Sequence, residues 1–207
     1  PVRHGTVVFK WNGKTVFVDP VGGAAPFKPY GVPDLVLVTD IHGDHFNKGT
    51  LEAIVKNKTV VITPEAVASL APEGLKKRIT TLSNGKLVEK LGVKIKAVPM
   101  YNLTAARLRF HNKGRGNGYV MTFGGKQVYV SGDTEDIPEM RALKNIDAAF
   151  VCMNLPFTMT PEQAADAVME FKPKIVYPYH YRGSDTAEFK KLVGDASEVR
   201  LRDWYKN

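Results

Sequence analysis

The sequence contains a single cysteine, Cys152, among its 207 residues. No internal disulfide can form, so the fold must be stabilised by its hydrophobic core and by any metal ion that it binds. Cys152 lies in the apolar run at residues 148–152, and we therefore expect a buried and unreactive thiol.

Long hydrophobic runs are also absent, and none approaches the roughly 20 residues needed to span a bilayer. The hydrophobic content of 43% and the charged content of 24% are ordinary for a globular protein and, with the length, predict one domain over residues 1–207. The first residue is Pro1 and not Met, so a leader peptide could have been removed. The compartment, cytoplasmic or exported, is left open, as is the oligomeric state.

Acidic residues are fewer than basic ones, 21 against 29, which gives a formal net charge of +8. A basic protein can favour anionic substrates, nucleic acid or a membrane surface. The basic residues are spread over segments typical of helix faces and loops, for example at 76–78 and 190–191. We therefore prefer a small anionic substrate to nucleic acid as the partner.

Histidine is scarce too, with five in the chain, yet two lie in the short stretch at 39–45. This stretch follows the apolar run at 35–38, which is typical of a buried strand. Four potential metal ligands fall within it, namely Asp40, His42, Asp44 and His45. Such a cluster needs a cation among its members, so the pattern indicates a divalent-metal site. The alternative is a solvated turn, because Gly43 and Asp44 are also common turn residues.

Turn signals at Asn12-Gly13, Asn84-Gly85 and Gly124-Gly125 each predict a β-hairpin. The first hairpin and the buried strand at 34–38 resemble the segments at 125–130 and 147–151. This similarity suggests two halves built alike, although amphipathic hairpins can also resemble each other by chance. Strands grouped before helices in each half predict two sheets packed face to face with helices outside.

Further candidate ligands lie later in the chain. Asp133 follows the strand predicted at 126–130, His180 follows the strand predicted at 175–177, and His111 lies in the irregular segment at 99–117. A lone histidine is more often structural than a ligand, and Asp133 could be a simple turn residue. These residues become informative only together with the stretch at 39–45.

Taken together, Asp-x-His-x-Asp-His at 40–45, Gly132-Asp133-Thr134 and His180 resemble the ligand set of the metallo-β-lactamase-fold superfamily. The resemblance implies an α/β (α+β) fold, a four-layer αββα sandwich of two mixed β-sheets with helices on the outer faces. The segments at 156–165 and 177–181 are similar to the short single-domain metal-dependent hydrolases. That branch includes the L-ascorbate 6-phosphate lactonase type and, more distantly, the N-acyl-phosphatidylethanolamine phospholipase D type.

The resemblance also implies how the ligands divide. One metal ion would be held by Asp44, His45, Asp133 and His180, with Asp133 bridging to a second ion that Asp40 and His42 serve. Two positions depart from the family pattern. Asp40 stands where the family has histidine, and no histidine directly follows the strand predicted at 93–98. Either Asn102 or His111 would complete the second group.

Oxygen ligands in place of imidazoles make the site harder, which lowers its relative preference for zinc and raises that for manganese, iron or magnesium. Zinc is still the expected ion, with these three metals as alternatives. The protein would hold one or two ions. A metal-bound water would lose its proton near neutral pH, at a pKa of about 7 in favourable zinc sites, and the resulting hydroxide would attack the substrate. We expect Asp44 and Asp133 to be the catalytic residues, with Asp44 orienting the hydroxide.

Substrate contacts are predicted mainly from the segment at 99–117. Arg107 and Arg109 alternate along the chain and could pair with a phosphate or carboxylate. The candidate donors to a developing oxyanion are Tyr101, Asn154, Tyr181 and His4, each of which could instead be a packing, turn or surface residue. Three glycines, Gly114, Gly116 and Gly118, would let the backbone approach an anion, or would simply shape a hairpin.

We therefore predict a metal-dependent hydrolase that cleaves an ester, lactone or amide of a small anionic substrate. A phosphodiesterase or nuclease is one alternative, supported only by the positive charge. A non-catalytic metal-binding or ligand-binding protein with a degenerate site is another, for which the altered positions Asp40 and Asn102 argue. The substrate itself is not predicted, because one fold hosts many reactions.

Overall fold

A β-hairpin begins the first half of the chain. In the computed structural model, which describes residues 1–205, β1 (Val7–Trp11) pairs antiparallel with β2 (Lys14–Val18). Asn12 and Gly13 in the turn both have positive φ, as the favoured two-residue hairpin loop requires. β3 (Leu35–Leu37) then pairs in parallel with β2. The ligand-rich stretch predicted at 39–45 follows β3 directly.

The first sheet has five strands in the order β1-β2-β3-β4-β5. β4 (Val60–Thr63) and β5 (Ile79–Thr81) continue the parallel pairing. Its helices are α1 (Lys48–Ile54), α2 (Glu65–Leu70) and α3 (Glu73–Lys76). The apolar side chains of all three helices pack in one cluster with residues of β2, β3 and β4, so these helices cover the outer face of this sheet.

The second sheet has seven strands in the order β12-β11-β10-β9-β8-β7-β6 and is likewise mixed. Its strands are β6 (Leu87–Lys90), β7 (Val93–Met100), β8 (Gly116–Phe123), β9 (Lys126–Val130), β10 (Ala148–Cys152), β11 (Ile175–Tyr179) and β12 (Glu198–Val199). Its helices are α4 (Pro138–Arg141), α5 (Pro161–Phe171) and α6 (Thr186–Val193). A capping box is present at the start of α5, between Thr160 and Gln163.

Alternation along the central strands separates two hydrophobic cores. Leu35 and Leu37 of β3 are buried in the core between the sheets, whereas Val36 faces the helices of the first sheet. On β2, Phe17 faces the same helices and stacks on Phe27, with 4.9 Å between ring centroids. A strand buried on both faces has a continuous apolar sequence, which explains the run at 35–38. The predicted αββα sandwich is confirmed.

The two halves repeat one local arrangement, as the sequence similarity suggested. In the first half, Asp34 accepts a hydrogen bond from the Thr15 backbone N–H at 2.9 Å. In the second, Asp147 accepts one from the Gln127 backbone N–H, also at 2.9 Å. Each aspartate opens a buried strand that lies parallel to the second strand of the preceding hairpin. The carboxylate therefore ties the hairpin to the strand that follows it.

The turn at Asn84-Gly85 is not a hairpin, so that prediction was wrong. β5 and β6 flank it but belong to different sheets, and the hairpin of β6 and β7 turns at Leu91-Gly92. The Asn84 side-chain amide donates to the Asn117 side-chain oxygen at 2.6 Å. Asn-Gly marks a chain reversal, but it does not determine which strand the chain pairs with afterwards.

Gly116 and Gly118 in β8 allow close packing between strands. A Cβ on Gly116 would lie 2.9 Å from the Thr39 carbonyl oxygen, and a Cβ on Gly118 would lie 2.7 Å from the Ser131 carbonyl oxygen. Without side chains at these positions, β8 approaches the segments that follow β3 and β9. The two glycines thus allow close backbone packing next to the loops after these strands, and the predicted approach of the backbone to an anion stays a prediction.

Cys152 is fully buried, and burial raises the pKa of its thiol to about 12, in agreement with the expected unreactive side chain. Among residues 1–205, no helix is long and apolar enough to cross a membrane. The assignment of residues 1–207 to one domain stays a prediction.

Candidate metal centre

The candidate ligands gather where strands of both sheets end. The stretch at 40–45 follows β3, Asp133 follows β9, and His180 follows β11, so loops of both sheets meet at one edge of the sandwich. His111 reaches the same edge from the loop between β7 and β8. Carboxyl ends of parallel strands commonly form binding sites, because their loops are free of the packing that buries the strands.

The first group of candidate ligands consists of Asp40, His42 and His111. His42 Nδ1 lies 2.6 Å from Asp40 Oδ2, and His111 Nε2 lies 3.8 Å from the same oxygen. Burial would raise the pKa of Asp40, but the hydrogen bond with His42 and the neighbouring positive charges lower it to about 2. Burial lowers the pKa of His111, which favours the neutral imidazole that metal binding requires.

Two further clusters of candidate ligands share His180, one with His45 and Asp133 and the other with His4 and Asp44. We treat Asp44, His45 and His180 as the second group, with Asp133 between the two groups. Asp133 Oδ2 lies 3.4 Å from both His45 Nε2 and His111 Nε2, and Asp133 Oδ1 lies 3.5 Å from His180 Nδ1. Asp44 Oδ2 lies 3.2 Å from His180 Nε2. Burial would raise the pKa of Asp133, but the three histidines around it hold the pKa well below its usual range.

Four buried polar atoms in this cluster have no hydrogen-bond partner among residues 1–205, namely His45 Nε2, His111 Nε2, His180 Nδ1 and Asp133 Oδ1. Leaving such atoms unpaired costs about 1–3 kcal/mol each, so each requires an explanation. The three imidazole nitrogens lie 3.4–3.5 Å from oxygens of Asp133, and imidazole nitrogens and carboxylate oxygens are suitable ligands for zinc or another divalent ion. The donor set therefore fits a metal ion.

Asp19, which the sequence analysis did not identify, holds this cluster in place. It follows β2, is fully buried, and accepts hydrogen bonds from the Thr39 backbone N–H at 2.7 Å and the Thr39 hydroxyl at 2.6 Å. Its Oδ2 also lies 2.8 Å from His45 Nδ1. A carboxylate at Nδ1 fixes the ring so that Nε2 faces the cluster. An Asp-Pro pair after a strand is typical of an ordinary turn, so the local sequence gives no signal for the role of Asp19.

His4 is the fifth histidine of the chain, and it also reaches the site. Its Nε2 lies 3.1 Å from Asp44 Oδ2, its Nδ1 lies 2.8 Å from the Tyr205 hydroxyl, and its ring centroid is 3.7 Å from that of His180. Burial would raise the pKa of Asp44, but His180 and His4 hold it far below its usual range. His4 therefore helps to orient the Asp44 carboxylate.

Asn102 and His111 were the two alternatives for the last ligand, and they are neighbours. The Asn102 side-chain nitrogen donates to the backbone oxygens of Arg107 and Phe157 at 2.9 and 2.7 Å, and it lies 3.2 Å from His111 Nδ1. His111 Nε2 points to Asp133. In this arrangement His111 faces the cluster, and Asn102 supports the loop and ring behind it.

Arg115 contacts the first group as well. Its Nε lies 3.2 Å from Asp40 Oδ1 and one terminal nitrogen lies 3.2 Å from Asp40 Oδ2, so each carboxylate oxygen has its own donor. The same terminal nitrogen donates to the Phe110 carbonyl oxygen. The side chain of Asp40 is fully buried in this contact.

Four of the five predicted substrate-binding residues contact other parts of the protein and do not line the pocket above the cluster. Arg107 pairs with the buried Glu135 at 2.5 Å, and Tyr101 donates its hydroxyl to Glu139 at 2.9 Å. Arg109 stacks over the Phe110 ring at 4.8 Å, and the Tyr181 hydroxyl donates to the Arg202 carbonyl oxygen. Of the five predicted substrate residues, only Asn154 lines the pocket above the cluster, a cavity of about 350 Å³.

The sequence analysis missed the other side chains of this pocket, which are Phe110, Leu155, Phe157 and Arg182. The Phe157 carbonyl oxygen lies 3.2 Å from His111 Nδ1, so the apolar wall adjoins the first group of ligands. Arg182 adjoins the second group, because its backbone N–H donates to the Tyr205 hydroxyl that also contacts His4. Arg182 is exposed and forms no ion pair among residues 1–205. Aromatic side chains and a cationic side chain therefore line one cavity.

Comparisons with known proteins agree with this architecture. A family model described as a beta-lactamase superfamily domain matches residues 2–180. A UPF0173 metal-dependent hydrolase of Thermococcus onnurineus is 34% identical over 202 residues, which are 91% of this chain and 88% of that protein. A crystal structure from Parabacteroides distasonis, of a protein named as a metal-dependent hydrolase, is 38% identical with a TM-score of 0.89, covering 97% of this chain and 90% of that one.

A more distant structure, that of the metallo hydrolase Igni18 from Ignicoccus hospitalis, has a TM-score of 0.81 at 22% identity and shares the fold. It covers 99% of this chain and 94% of that one. An αββα sandwich with histidines and aspartates at the ends of its strands is the architecture of metallo-β-lactamase-fold hydrolases. The chain belongs to this superfamily, within the family of UPF0173 metal-dependent hydrolases. The expected resemblance and the enzyme class are confirmed, whereas the lactonase-like branch stays a prediction.

Replacing Asp19 by Asn is expected to weaken metal binding about 10-fold to 100-fold, because an amide nitrogen would face the donors of Thr39 and His45. We expect the free energy of unfolding to fall by about 1–3 kcal/mol. Chelator competition and urea unfolding measure the two effects. Asp34→Asn, which alters a carboxylate of the same sheet bonded to Thr15, is the control and should leave metal affinity unchanged.

Replacing Gly5 by Ala is expected to disturb the ligands directly. The new Cβ would lie 2.9 Å from His180 Cδ2 and 3.6 Å from His45 Cε1, so one imidazole must move. We expect metal affinity to fall at least about tenfold while the circular dichroism spectrum is retained. Gly43→Ala adds a Cβ with nothing within 4 Å and is the matched control. Equal affinities in the two variants would contradict the tight packing at Gly5.

Proposed function

We propose that this protein hydrolyses an ester, lactone or amide of a small anionic substrate, with divalent metal held by the candidate ligands. The observation that carries the proposal is the convergence of three unpaired buried imidazole nitrogens on Asp133, whose Oδ1 is also unpaired, at the floor of a pocket. A structural cluster would satisfy these atoms internally. A pocket open above them leaves room for a substrate and a water.

In this proposal Asp40, His42 and His111 form one set of ligands, Asp44, His45 and His180 form the other, and Asp133 serves both. Zinc is the preferred ion, with manganese, iron or magnesium as alternatives. Bound metal would lower the pKa of a water and polarise the attacked oxygen. Side chains of the protein would orient the water and the attacked oxygen.

Asp44 and Asp133 are the proposed catalytic residues. Asp44 Oδ2 is engaged by His4 and His180, and its side chain is 43% exposed, so Oδ1 can accept a hydrogen bond from the attacking water. Asp133 is buried and surrounded by three imidazoles, so it stays ionised and keeps both oxygens directed at the cluster. Neither residue needs to move during the reaction.

The pocket supports a substrate with an apolar part and an anionic part. Phe110, Leu155 and Phe157 would contact the apolar part beside the first set of ligands. Arg182 would pair with a carboxylate or phosphate beside the second set. The scissile bond would then lie between them, over Asp133. Arg107 is less suited to this role, because Glu135 already neutralises it.

Hydrolysis is tested with phenyl hexanoate and monophenyl adipate, which have six-carbon acyl chains and differ by a terminal carboxylate. We expect hydrolysis to stop after treatment with a chelator and to return with zinc or manganese. Asp133→Asn should lower kcat/KM for both esters by more than about 100-fold at unchanged thermal stability. Hydrolysis that survives both metal removal and Asp133→Asn would overturn the proposal.

Substrate charge is tested by Arg182→Met. We expect wild type to prefer the adipate ester, and the variant to lose about tenfold more kcat/KM on this ester than on the neutral one. The loss should fall mainly on KM, because the pairing lies away from the scissile bond. Arg109→Met is the matched comparison, since Arg109 stacks on Phe110 outside the pocket lining. A larger effect of Arg109→Met would reassign the anion contact.

A further inference from the structure

The two sets of ligands differ in permanent charge. In the first set, Arg115 offers one nitrogen to each oxygen of Asp40, both at 3.2 Å. Paired donors of this kind form the strong, geometrically defined version of an arginine–carboxylate contact. The positive charge of arginine is permanent at any pH of interest. The carboxylate of the first set is therefore neutralised before any metal ion arrives.

Arg115 is held firmly where it stands. Its side chain is 19% exposed, and the nitrogen that contacts Asp40 also donates to the Phe110 carbonyl oxygen. Its backbone N–H donates to the Asn112 carbonyl oxygen at 3.2 Å. The guanidinium cannot swing away into solvent without leaving the Phe110 carbonyl and the buried Asp40 carboxylate unpaired, which carries a free-energy penalty.

The second set contains no such cation. Among residues 1–205, the side chains within ion-pair distance of Asp44 are His4, His45 and His180. Those within ion-pair distance of Asp133 are His45, His111 and His180. Histidines can be neutral when metal binds, so both carboxylates keep their full charge for an incoming cation.

We propose that the two metal positions are unequal: the set of Asp44, His45, His180 and Asp133 holds a tightly bound ion, and the set of Asp40, His42 and His111 holds a weak, exchangeable one because Arg115 neutralises Asp40. A guanidinium 3.2 Å from a ligand oxygen also repels a divalent ion at that oxygen. Asp40 remains a ligand in this proposal, but it attracts the metal ion less strongly because Arg115 already balances its charge. This inference rests on the proposed metal centre.

Metal content after gel filtration and zinc affinity by chelator competition test the inference in the full chain. Wild type should retain one ion and bind a second at least about tenfold more weakly. Arg115→Gln removes the charge and keeps an amide donor, so the second ion should bind at least about tenfold more tightly than in wild type. Arg115→Lys keeps the charge but not the paired donors, so the second ion should bind more weakly than in Arg115→Gln. Arg109→Met, in the same loop but away from Asp40, should change neither affinity.

A second pair of variants assigns each ion to its set. The side chains of His42 and Asp44 are comparably exposed, at 40% and 43%, so neither substitution is expected to compromise folding. His42→Ala should still retain one ion, whereas Asp44→Asn should lose the retained ion. This pair decides the assignment even if an Arg115 variant is unstable. Thermal unfolding of the metal-free proteins verifies folding.

Two ions retained with equal affinity in wild type would overturn the inference, as would loss of the retained ion in His42→Ala. Folded Arg115→Gln protein in which the difference in affinity between the two ions is the same as in wild type would also overturn it. These outcomes are independent of turnover. A protein with one tight and one weak ion that hydrolyses no ester would refute the proposed function alone. A protein that binds no ion under any condition would refute both.

Discussion

The buried carboxylate of Asp19 is the contact on which the candidate metal centre depends. It joins the end of β2 to the loop after β3 through both polar hydrogens of Thr39, and it fixes the ring of His45. The Asn117 backbone N–H also holds this loop, through the Thr39 carbonyl oxygen at 2.9 Å, but that contact does not reach His45. The core fixes how β2 and β3 pair, and the hydrogen bonds of Asp19 then fix the orientation of the His45 imidazole relative to these strands.

Glycine packing provides the second constraint. Because Gly116 lacks a side chain, β8 of the second sheet approaches the Thr39 carbonyl at the end of β3 in the first sheet, and Gly118 allows the same close approach to the Ser131 carbonyl within the second sheet. Asp133, two residues after Ser131, then meets ligands from the loop of the first sheet. The centre is thus a product of contact between sheets. A fold with the same strands and a wider separation would bring together neither set of ligands.

The pocket above this centre is lined both by aromatic side chains and by Arg182. The ligands beneath it also differ in charge, since Arg115 pairs with Asp40 of the first set and no arginine or lysine pairs with Asp44 or Asp133 among residues 1–205. In the two proposals made above, the tighter metal position and the anionic part of the substrate would both lie beside the second set. Substrate orientation and metal affinity would follow from one asymmetry of charge across the site.

The amino-acid pattern by itself determined two of the three predicted hairpins, the two packed sheets and the ligand types after β3, β9 and β11, because alternation and turn chemistry are local properties. It could not determine that Asn84-Gly85 separates two sheets, since pairing partners are chosen by the core. Asp19, Arg115 and Arg182 carry no local signal, and their roles come from contacts between residues far apart in sequence. Only the tertiary structure decided how charge is arranged around the centre, because electrostatic interactions act through distances in space.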